Sequence, residues 1–227
     1  EALHAALERG RQLSVSTMAV RDERVVPHAF IVPRRVAATR ALPAPLRSRA
    51  VLLVHAGNRV DLPGRGTPRF PPALVPLVRR RVAQVLTDLR PRGVVSAAAA
   101  GADLIVLEEA IEAGITIHLA LPLGVEQFRA RAVEDLGGDW AERYDRVLAE
   151  ATEHGTVHIE NRGNDEDWFT EGNETILDRA EMLSDGDSIY ALVVRPHSGE
   201  SLPSATDRFA ASAAKRGWPV IELGITP

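Results

Sequence analysis

The segment that begins at Gly57 combines residue types that could hold a phosphate group. It reads Gly57-Asn58-Arg59, and two more arginines, Arg65 and Arg69, follow in a stretch rich in glycine and proline. Glycine permits a tight turn and a close approach of the backbone to a ligand, and the guanidinium fork of arginine matches the geometry of phosphate oxygens. We therefore predict phosphate contact by Arg59 or Arg69. The alternative is a mobile surface loop whose arginines are only solvated.

A second segment of small residues could bind an anion through its backbone. It contains Ala99, Ala100 and Gly101, followed by Asp103 near the start of a predicted helix. Small side chains at a strand-to-helix turn expose backbone N–H groups and the positive end of the helix dipole, which together attract anions. The segment is neither a GxGxxG nor a Walker sequence. The alternative role of Asp103 is that of a favourable acid in the first helical turn.

A third group of candidate ligand-binding residues surrounds the end of the fifth predicted strand. Arg195 ends that strand, and Ser204, Thr206 and Asp207 open the next helix. Ser204 can cap this helix, and the N–H groups there could also hold a phosphate, so both roles stay open.

Two more candidates follow the third and fourth strands. Pro122 ends the third strand, and Asn173 starts a predicted helix, where it either caps the helix or faces the ligand. The polar stretch before that helix ends in Trp168 and Phe169. It is either a lid whose aromatic ring stacks on a base or an ordinary surface loop anchored by its aromatic residues.

Acidic residues near these strand ends suggest two further kinds of chemistry. Asp103, Glu109 and Asp207 could act as a general base or hold a pair of ribose hydroxyls, and Glu109 and Asp207 are the catalytic candidates. Helical periodicity also allows Glu109 to lie on an exposed face beside Glu108 and Glu112.

No metal site and no cofactor are expected. The seven histidines show no metal-ligand spacing such as HExxH, and the chain has no cysteine that could supply a thiolate ligand or a thiol nucleophile. No Gly-x-Ser-x-Gly motif of serine hydrolases is present. His118 lies in a predicted buried strand, where a hydrogen-bonded core residue is expected.

Composition limits the partners of the chain. The net charge is −4, but residues 1–50 hold nine Arg against four acids, and the remainder holds 18 basic against 27 acidic residues. The acidic remainder disfavours wrapping of nucleic acid, which is therefore not expected as a partner. The chain has neither an apolar run of about 18 to 20 residues for crossing a membrane nor a signal peptide, and we expect a cytoplasmic location.

Regular alternation of strands and helices predicts the fold. Short β-branched runs alternate with helical periodicity from residue 50 onward, as in βαβ units with a parallel sheet covered on both faces. We predict an α/β, Rossmann-like, doubly wound domain with a mostly parallel sheet of about six strands flanked by helices. This domain spans residues 49–227, and the proline- and arginine-rich residues 1–48 form an arm or linker from a preceding domain.

The order of motifs resembles the SLOG superfamily, the Rossmann-like fold of DNA-processing protein A and the LOG phosphoribohydrolases. The resemblance covers roughly residues 50–224, and it is greatest to bacterial SLOG domains attached to signalling and conflict proteins. Its matching residues are Gly57 to Arg59, Arg69-Phe70-Pro71, Gly101-Ala102-Asp103, Glu109-Ala110, Gly114, Leu121-Pro122, Trp140, Asn173, Ile176-Leu177, Thr206-Asp207, Ala211 and Gly217 to Val220.

Departures from the family pattern bear on function. Asn58 stands where such domains often carry His, and Ser204 and Ala205 stand in a loop that often begins Gly-Gly-Thr. The Pro-Gly-Gly-x-Gly-Thr run of the LOG enzymes is also absent, which removes the best argument for hydrolase chemistry.

We therefore expect a domain that binds or senses a nucleotide or nucleotide-derived ligand within a larger bacterial signalling or defence protein. Phosphate is expected at the loops 57–59 and 99–103, with the base near Thr206. Covalently linked domains outside this segment are its expected partners, and the resemblance also implies a homodimer. The first alternative is a nucleotide N-glycosidase or phosphoribohydrolase, and the second is a scaffold that has lost its ligand.

Overall fold

The computed structural model describes residues 50–160, 168–196 and 204–225 of the chain. They belong to one compact unit. The predicted arm over residues 1–48 lies outside the described residues, so that boundary stays a prediction.

Six strands form a single sheet in the described part of the chain. They are β1 (Val51–Gly57), β2 (Gly93–Ser96), β3 (Thr116–Leu121), β4 (Thr156–Ile159), β5 (Ser188–Pro196) and β6 (Val220–Ile225). Every pair of neighbouring strands is parallel. The predicted Rossmann-like α/β class is confirmed, and the sheet is wholly rather than mostly parallel.

Six α-helices flank the sheet within the described residues. They are α1 (Val75–Leu89), α2 (Ala102–Glu112), α3 (Val125–Ala132), α4 (Trp140–His154), α5 (Trp168–Leu183) and α6 (Ala205–Lys215). Short 3-10 turns, Pro72–Leu74 and Glu134–Leu136, precede α1 and follow α3.

Alternation along β1 explains why the helices form two layers. Leu53 packs in a cluster with side chains of α1 to α4, whereas Leu52 and Val54 pack in a second cluster with α5 and α6. Successive strand residues point to opposite faces of a sheet, so a continuous apolar run gives both layers a core to bury.

The strand order fixes where the strand ends converge. The order is β4-β3-β2-β1-β5-β6, so the chain moves outward from β1 to β4 and then returns to the other side of β1. In open parallel sheets, ligands bind outside the carboxyl ends of the strands at such a reversal. The loops after β1 and β5 therefore meet at the expected place.

Three local features can be compared with what the sequence led us to expect. His118 is buried, and its Nδ1 lies 3.1 Å from the hydroxyl of Thr156, as expected of a hydrogen-bonded core residue. The helix predicted from Asn173 begins earlier, at Trp168. The exposed position considered for Glu109 is wrong, because this residue is only 8% exposed.

Candidate functional site

A cavity of about 300 Å³ lies at the carboxyl ends of the strands where the order reverses. This volume is at the small end of the range typical of ligand pockets. The candidate residues that line it are Gly57, Asn58, Arg59, Arg69, Ala99, Asp103, Pro122, Asn173, Ser204 and Thr206.

The loop after β1 is anchored to both of its neighbours. The Asn58 N–H donates to the Val194 carbonyl of β5 (3.0 Å), and the Asn58 carbonyl accepts from the N–H of Ala102 (3.1 Å). Arg59 and Gly101 form an isolated antiparallel bridge. The loops after β1 and β2 are thus joined through their backbones, which holds the cavity wall in place.

Gly101 makes this close approach possible. Its φ is +138°, a conformation that side chains rarely adopt, and a Cβ atom built on it would lie 2.7 Å from backbone atoms of Asn58, Arg59 and Val60. Gly101 does not line the cavity. Its role is to let the two loops touch.

Asp103 occupies the N–H groups that were expected to face a phosphate. It is 6% exposed, and its carboxylate accepts hydrogen bonds from the N–H of Gly57 (3.1 Å) and the N–H of Ala99 (3.2 Å). The Ala100 N–H is also used, since it donates to the Ala132 carbonyl (3.0 Å). We therefore revise the expected phosphate position, because these loops already hold an anion supplied by the protein.

The arginine-bearing loop that follows is ordered around a second buried carboxylate. Asp61 Oδ2 accepts hydrogen bonds from the N–H groups of Arg69 and Phe70, each at 2.8 Å. The Phe70 ring is fully buried and anchors the loop in the core. Arg65 Nε lies 3.4 Å from Asp61 Oδ1 and donates to the Thr67 carbonyl (2.9 Å). This arrangement differs from a loop whose arginines are only solvated.

Three guanidinium groups belong to the cavity lining. Arg59, Arg65 and Arg69 all line it, together with the carboxylates of Asp61 and Asp103. Arg59 is also ion-paired with Asp135, which is not part of the lining. The formal charge of the lining is therefore positive, and the cations come from the loop after β1.

The start of α6 is held by reciprocal capping. The Ser204 hydroxyl accepts from the Asp207 N–H (3.1 Å), and the Asp207 carboxylate accepts from the Ser204 N–H (2.8 Å). Asp207 is also paired with Arg195, which contacts Glu222 at 2.9 Å. Burial raises the pKa of Asp207, but the Ser204 hydrogen bonds and the Arg195 charge outweigh it and leave the pKa below its ordinary value. Neither Asp207 nor Arg195 lines the cavity.

Thr206 and Asn173 connect α6 to the rest of the site. The Thr206 hydroxyl donates to the Asn58 side-chain oxygen (3.3 Å), and the Asn173 amide donates to the Ala205 carbonyl (2.7 Å). Asn173 lies inside α5 rather than at its start, so it does not cap this helix. It lines the cavity and also braces the next helix.

An apolar wall forms another part of the cavity lining. It contains Phe128 of α3 and Trp168 and Ile176 of α5. The rings of Phe128 and Trp168 meet edge to face, with centroids 5.8 Å apart. At Gly172 a Cβ would lie 2.9 Å from a carbon of Pro122, so α5 packs closely against the loop after β3. The sequence indicated Trp168 as a stacking residue and Ile176 only as part of the family resemblance, and it did not indicate Phe128.

Glu109 lies away from this cavity, in an ion-pair cluster between helices. Arg79 of α1 contacts Glu108, Glu109 (2.6 Å) and Glu112 (3.3 Å), and Arg143 of α4 binds Glu108 with two contacts of 2.7 Å. Burial raises the pKa of Glu109, and the charge of Arg79 opposes this effect only in part. A cavity of about 530 Å³ beside the cluster is lined by charged residues of both signs.

Residues outside the predicted set also shape the site. Asp61 and His55 are the main examples: both are buried, and each supports a cavity residue. Their acceptor and donor groups were visible in the sequence, but nothing in their spacing indicated which backbone groups they would meet.

The described residues contain neither a cluster of metal-ligand side chains nor a membrane-spanning helix. Within residues 50–160, 168–196 and 204–225, no three His, Asp or Glu side chains gather in a way that could hold a metal ion. No helix in those ranges is long and apolar enough to span a bilayer.

Comparison with solved structures finds DNA processing protein A. The Helicobacter pylori protein, described by its single-stranded DNA binding mode, is 17% identical with a TM-score of 0.46, covering 81% of this chain and 69% of that chain. The Streptococcus pneumoniae protein is 16% identical with a TM-score of 0.34, covering 78% of this chain and 59% of that chain. No protein-family model and no curated protein matches the sequence.

These comparisons correct one prediction about partners. The exclusion of nucleic acid as a partner is contradicted, because the Helicobacter pylori chain is described as binding single-stranded DNA.

Proposed function

We propose that this domain binds a nucleotide-type ligand in the strand-end cavity and acts as a sensor or binding module. The observation that carries the proposal is the composition of the lining, which combines three arginines with the aromatic residues Phe128 and Trp168. A nucleotide combines the matching groups, with anionic phosphates at one end and an apolar, stackable base at the other.

The phosphates belong at the loop after β1. Arg59, Arg65 and Arg69 line the cavity, and guanidinium groups bind phosphate oxygens in pairs of parallel hydrogen bonds. Asp61 orders this loop through the N–H groups of Arg69 and Phe70. The cations are thus held on a structured loop, which reduces the entropy lost on binding.

The base belongs at the aromatic wall. Phe128, Trp168 and Ile176 belong to the lining, and Trp168 is the most exposed of the three at 8%. Aromatic rings stack on bases without depending on their identity. The proposal therefore puts the base beside Trp168, which differs from the position near Thr206 that the sequence led us to expect.

The two alternative functions have weaker support. A nucleotide hydrolase was tied to Glu109 or Asp207, neither of which lines the cavity. A closed strand-end cleft together with a large apolar surface patch would favour a ligand-free scaffold. The exposed large hydrophobic side chains among the described residues are Leu62 in the loop after β1, Ile159 in β4 and Met182 in α5.

The resemblance to the SLOG superfamily supports the same proposal and extends it. We propose that the domain spans residues 49–227 of a larger bacterial signalling or defence protein, with covalently linked neighbours and a homodimeric state. The proposal also includes membership of the SLOG superfamily, a cytoplasmic location and an N-terminal arm over residues 1–48.

A thermal-shift screen of the 227-residue chain tests the proposed function. The panel contains nucleoside mono-, di- and triphosphates, ADP-ribose, NAD and cyclic dinucleotides, with a single-stranded oligonucleotide as a separate arm. A ligand at about 100 times its Kd stabilises the fold by about 2.7 kcal/mol, which raises Tm by roughly 5 to 10 °C at this size.

Matched arginine variants locate the binding. Arg59→Ala removes a cation from the cavity lining. Arg92→Ala is the control: Arg92 directly precedes β2, at the amino ends of the strands and away from the cavity, and it is ion-paired with Asp187. We expect the shift to shrink in the first variant and persist in the second. Equal shifts in both variants, no shift with any nucleotide of the panel, or binding of the oligonucleotide alone would each overturn the proposal.

A further inference from the structure

The floor of the cavity carries a negative charge that the protein supplies itself. Asp103 lines the cavity, and its two carboxylate oxygens accept the N–H groups of Gly57 and Ala99. These N–H groups come from the loops after β1 and β2. The floor therefore presents a hydrogen-bond acceptor to a ligand, where an open strand-to-helix turn would present donors.

His55 packs beneath this carboxylate. It is 0% exposed, and its Nδ1 lies 2.9 Å from the Leu192 carbonyl oxygen. Because a carbonyl only accepts hydrogen bonds, Nδ1 carries the hydrogen in this contact. The other ring nitrogen, Nε2, lies 3.3 Å from Asp103 Oδ1 but has no hydrogen-bond partner among the described residues. The buried ring therefore limits the movement of the carboxylate by packing rather than by a hydrogen bond.

Gly57 lets the loop after β1 pack closely on the protein interior. A Cβ atom at this position would lie 2.5 Å from the Ala102 Cβ and 3.1 Å from two atoms of the His55 ring. No side chain at position 57 could fit without displacing these groups. The glycine therefore keeps its N–H within reach of the Asp103 carboxylate.

The hydrogen-bonding capacity of Asp103 is not exhausted. An ionised carboxylate offers about four lone-pair positions, and the N–H groups of Gly57 and Ala99 occupy two of them. The remaining acceptor capacity suits a hydroxyl or amino group. It repels a phosphate, which at neutral pH carries negative charge and has few hydrogens to donate.

We propose that Asp103 holds a hydroxyl of a ribose, so that the ligand is a ribonucleotide bound with its sugar over the cavity floor. This inference rests on the proposed function. The arginine-bearing loop follows β1, and the aromatic wall comes from helices that follow β3 and β4. Asp103 bridges the ends of β1 and β2, and a ribose likewise lies between the phosphates and the base.

Pairs of ribo and deoxy ligands test this inference on the unaltered protein. The probes are ADP, GDP, CDP and UDP, each beside its 2′-deoxy and 3′-deoxy counterpart, with affinities measured by calorimetry. A hydrogen bond to a charged group is worth about 1.5 to 3 kcal/mol, so the ribonucleotide is expected to bind about 10- to 100-fold more tightly than at least one deoxy form.

Two variants assign the discrimination to Asp103. Asp103→Ala is expected to reduce the ribo-to-deoxy affinity ratio to about one. Asp61→Asn alters the other buried carboxylate of the lining, which also accepts two N–H groups. It is expected to weaken both sugars alike and to leave the ratio unchanged. The ratio separates recognition from a general loss of structure, and the comparison in the wild type stands even if Asp103→Ala fails to fold.

The outcomes separate the two proposals. Equal binding of ribo and deoxy ligands by the wild type, or a ratio that Asp103→Ala leaves intact, overturns the role of Asp103 and leaves nucleotide binding standing. Failure of all the probes to bind overturns the proposed function and this inference together.

Discussion

Replacement of Gly101 by alanine tests the joint between the two cavity loops. The residue has φ +138° and ψ −128°, a region that essentially only glycine populates, and a residue with a side chain held there is strained by about 1 to 3 kcal/mol. The added Cβ would also lie 2.7 Å from the Arg59 Cα, the Asn58 oxygen and the Val60 nitrogen.

The second cost is steric and adds to the first. The three contacted atoms belong to the backbone, so no side-chain rotation relieves the contact, and overpacking of this kind costs about 1 to 3 kcal/mol. Together the two effects predict a loss of about 2 to 6 kcal/mol. A loss of about 4 kcal/mol lowers Tm by roughly 8 to 16 °C at this chain length.

Gly114→Ala is the matched control. Gly114 also has a positive φ, +69°, but a Cβ there would meet nothing within 4 Å. This variant should therefore lose only the conformational part, about 1 to 2 kcal/mol. Urea unfolding followed by circular dichroism gives both free energies, with thermal unfolding as a second measurement. Equal losses for Gly101→Ala and Gly114→Ala would show that the close approach of the loops has been misread.

Three further predictions concern charged groups. Asp207→Asn breaks the α6 capping box and should lower the free energy of unfolding by about 1 kcal/mol at pH 7. Because the pKa of Asp207 is lowered in the folded state, the stability difference between wild type and variant should fade as pH falls through that pKa, which urea unfolding at several pH values would show. Glu109→Gln should behave oppositely, since burial raises the pKa of Glu109: the variant's stability relative to wild type should rise from pH 4 to pH 7, and a flat difference would count against the raised pKa. Arg143, 7% exposed, holds Glu108 with two contacts of 2.7 Å, so Arg143→Ala should lower the unfolding free energy by about 2 to 4 kcal/mol, whereas a loss below about 1 kcal/mol would mark the pair as an ordinary surface contact.

The fold class could be predicted from the sequence because the patterns that indicate strands and helices involve only neighbouring residues. A strand buried on both faces reads as a nearly continuous apolar run. β1 begins with such a run, Val51 to Val54, and its consecutive residues Leu52 and Leu53 pack in different clusters. Helical periodicity likewise needs only neighbours three or four residues away. Such patterns predict which elements form.

The site was harder to predict because its contacts join distant residues. The N–H of Asn58 bonds to Val194 only because β5 returns to lie beside β1, and no spacing in the sequence states that order. Glu109 illustrates the same limit. Glu108 and Glu112 on the same helix suggested an exposed face. Arg79, which lies 30 residues earlier in the sequence, instead donates a hydrogen bond to Glu109.

Asp103 lies between these two cases and shows what decides the chemistry of the site. Its bond to the Ala99 N–H, four residues earlier, is local, but its bond to the Gly57 N–H requires β1 and β2 to be neighbours. With only the first bond, the loop after β1 would still offer a donor to a phosphate. With both, the donors are satisfied internally, and the charge of a ligand must be met by the arginines instead. The same carboxylate therefore closes the generic anion site of a strand-to-helix turn and opens a position for a hydroxyl.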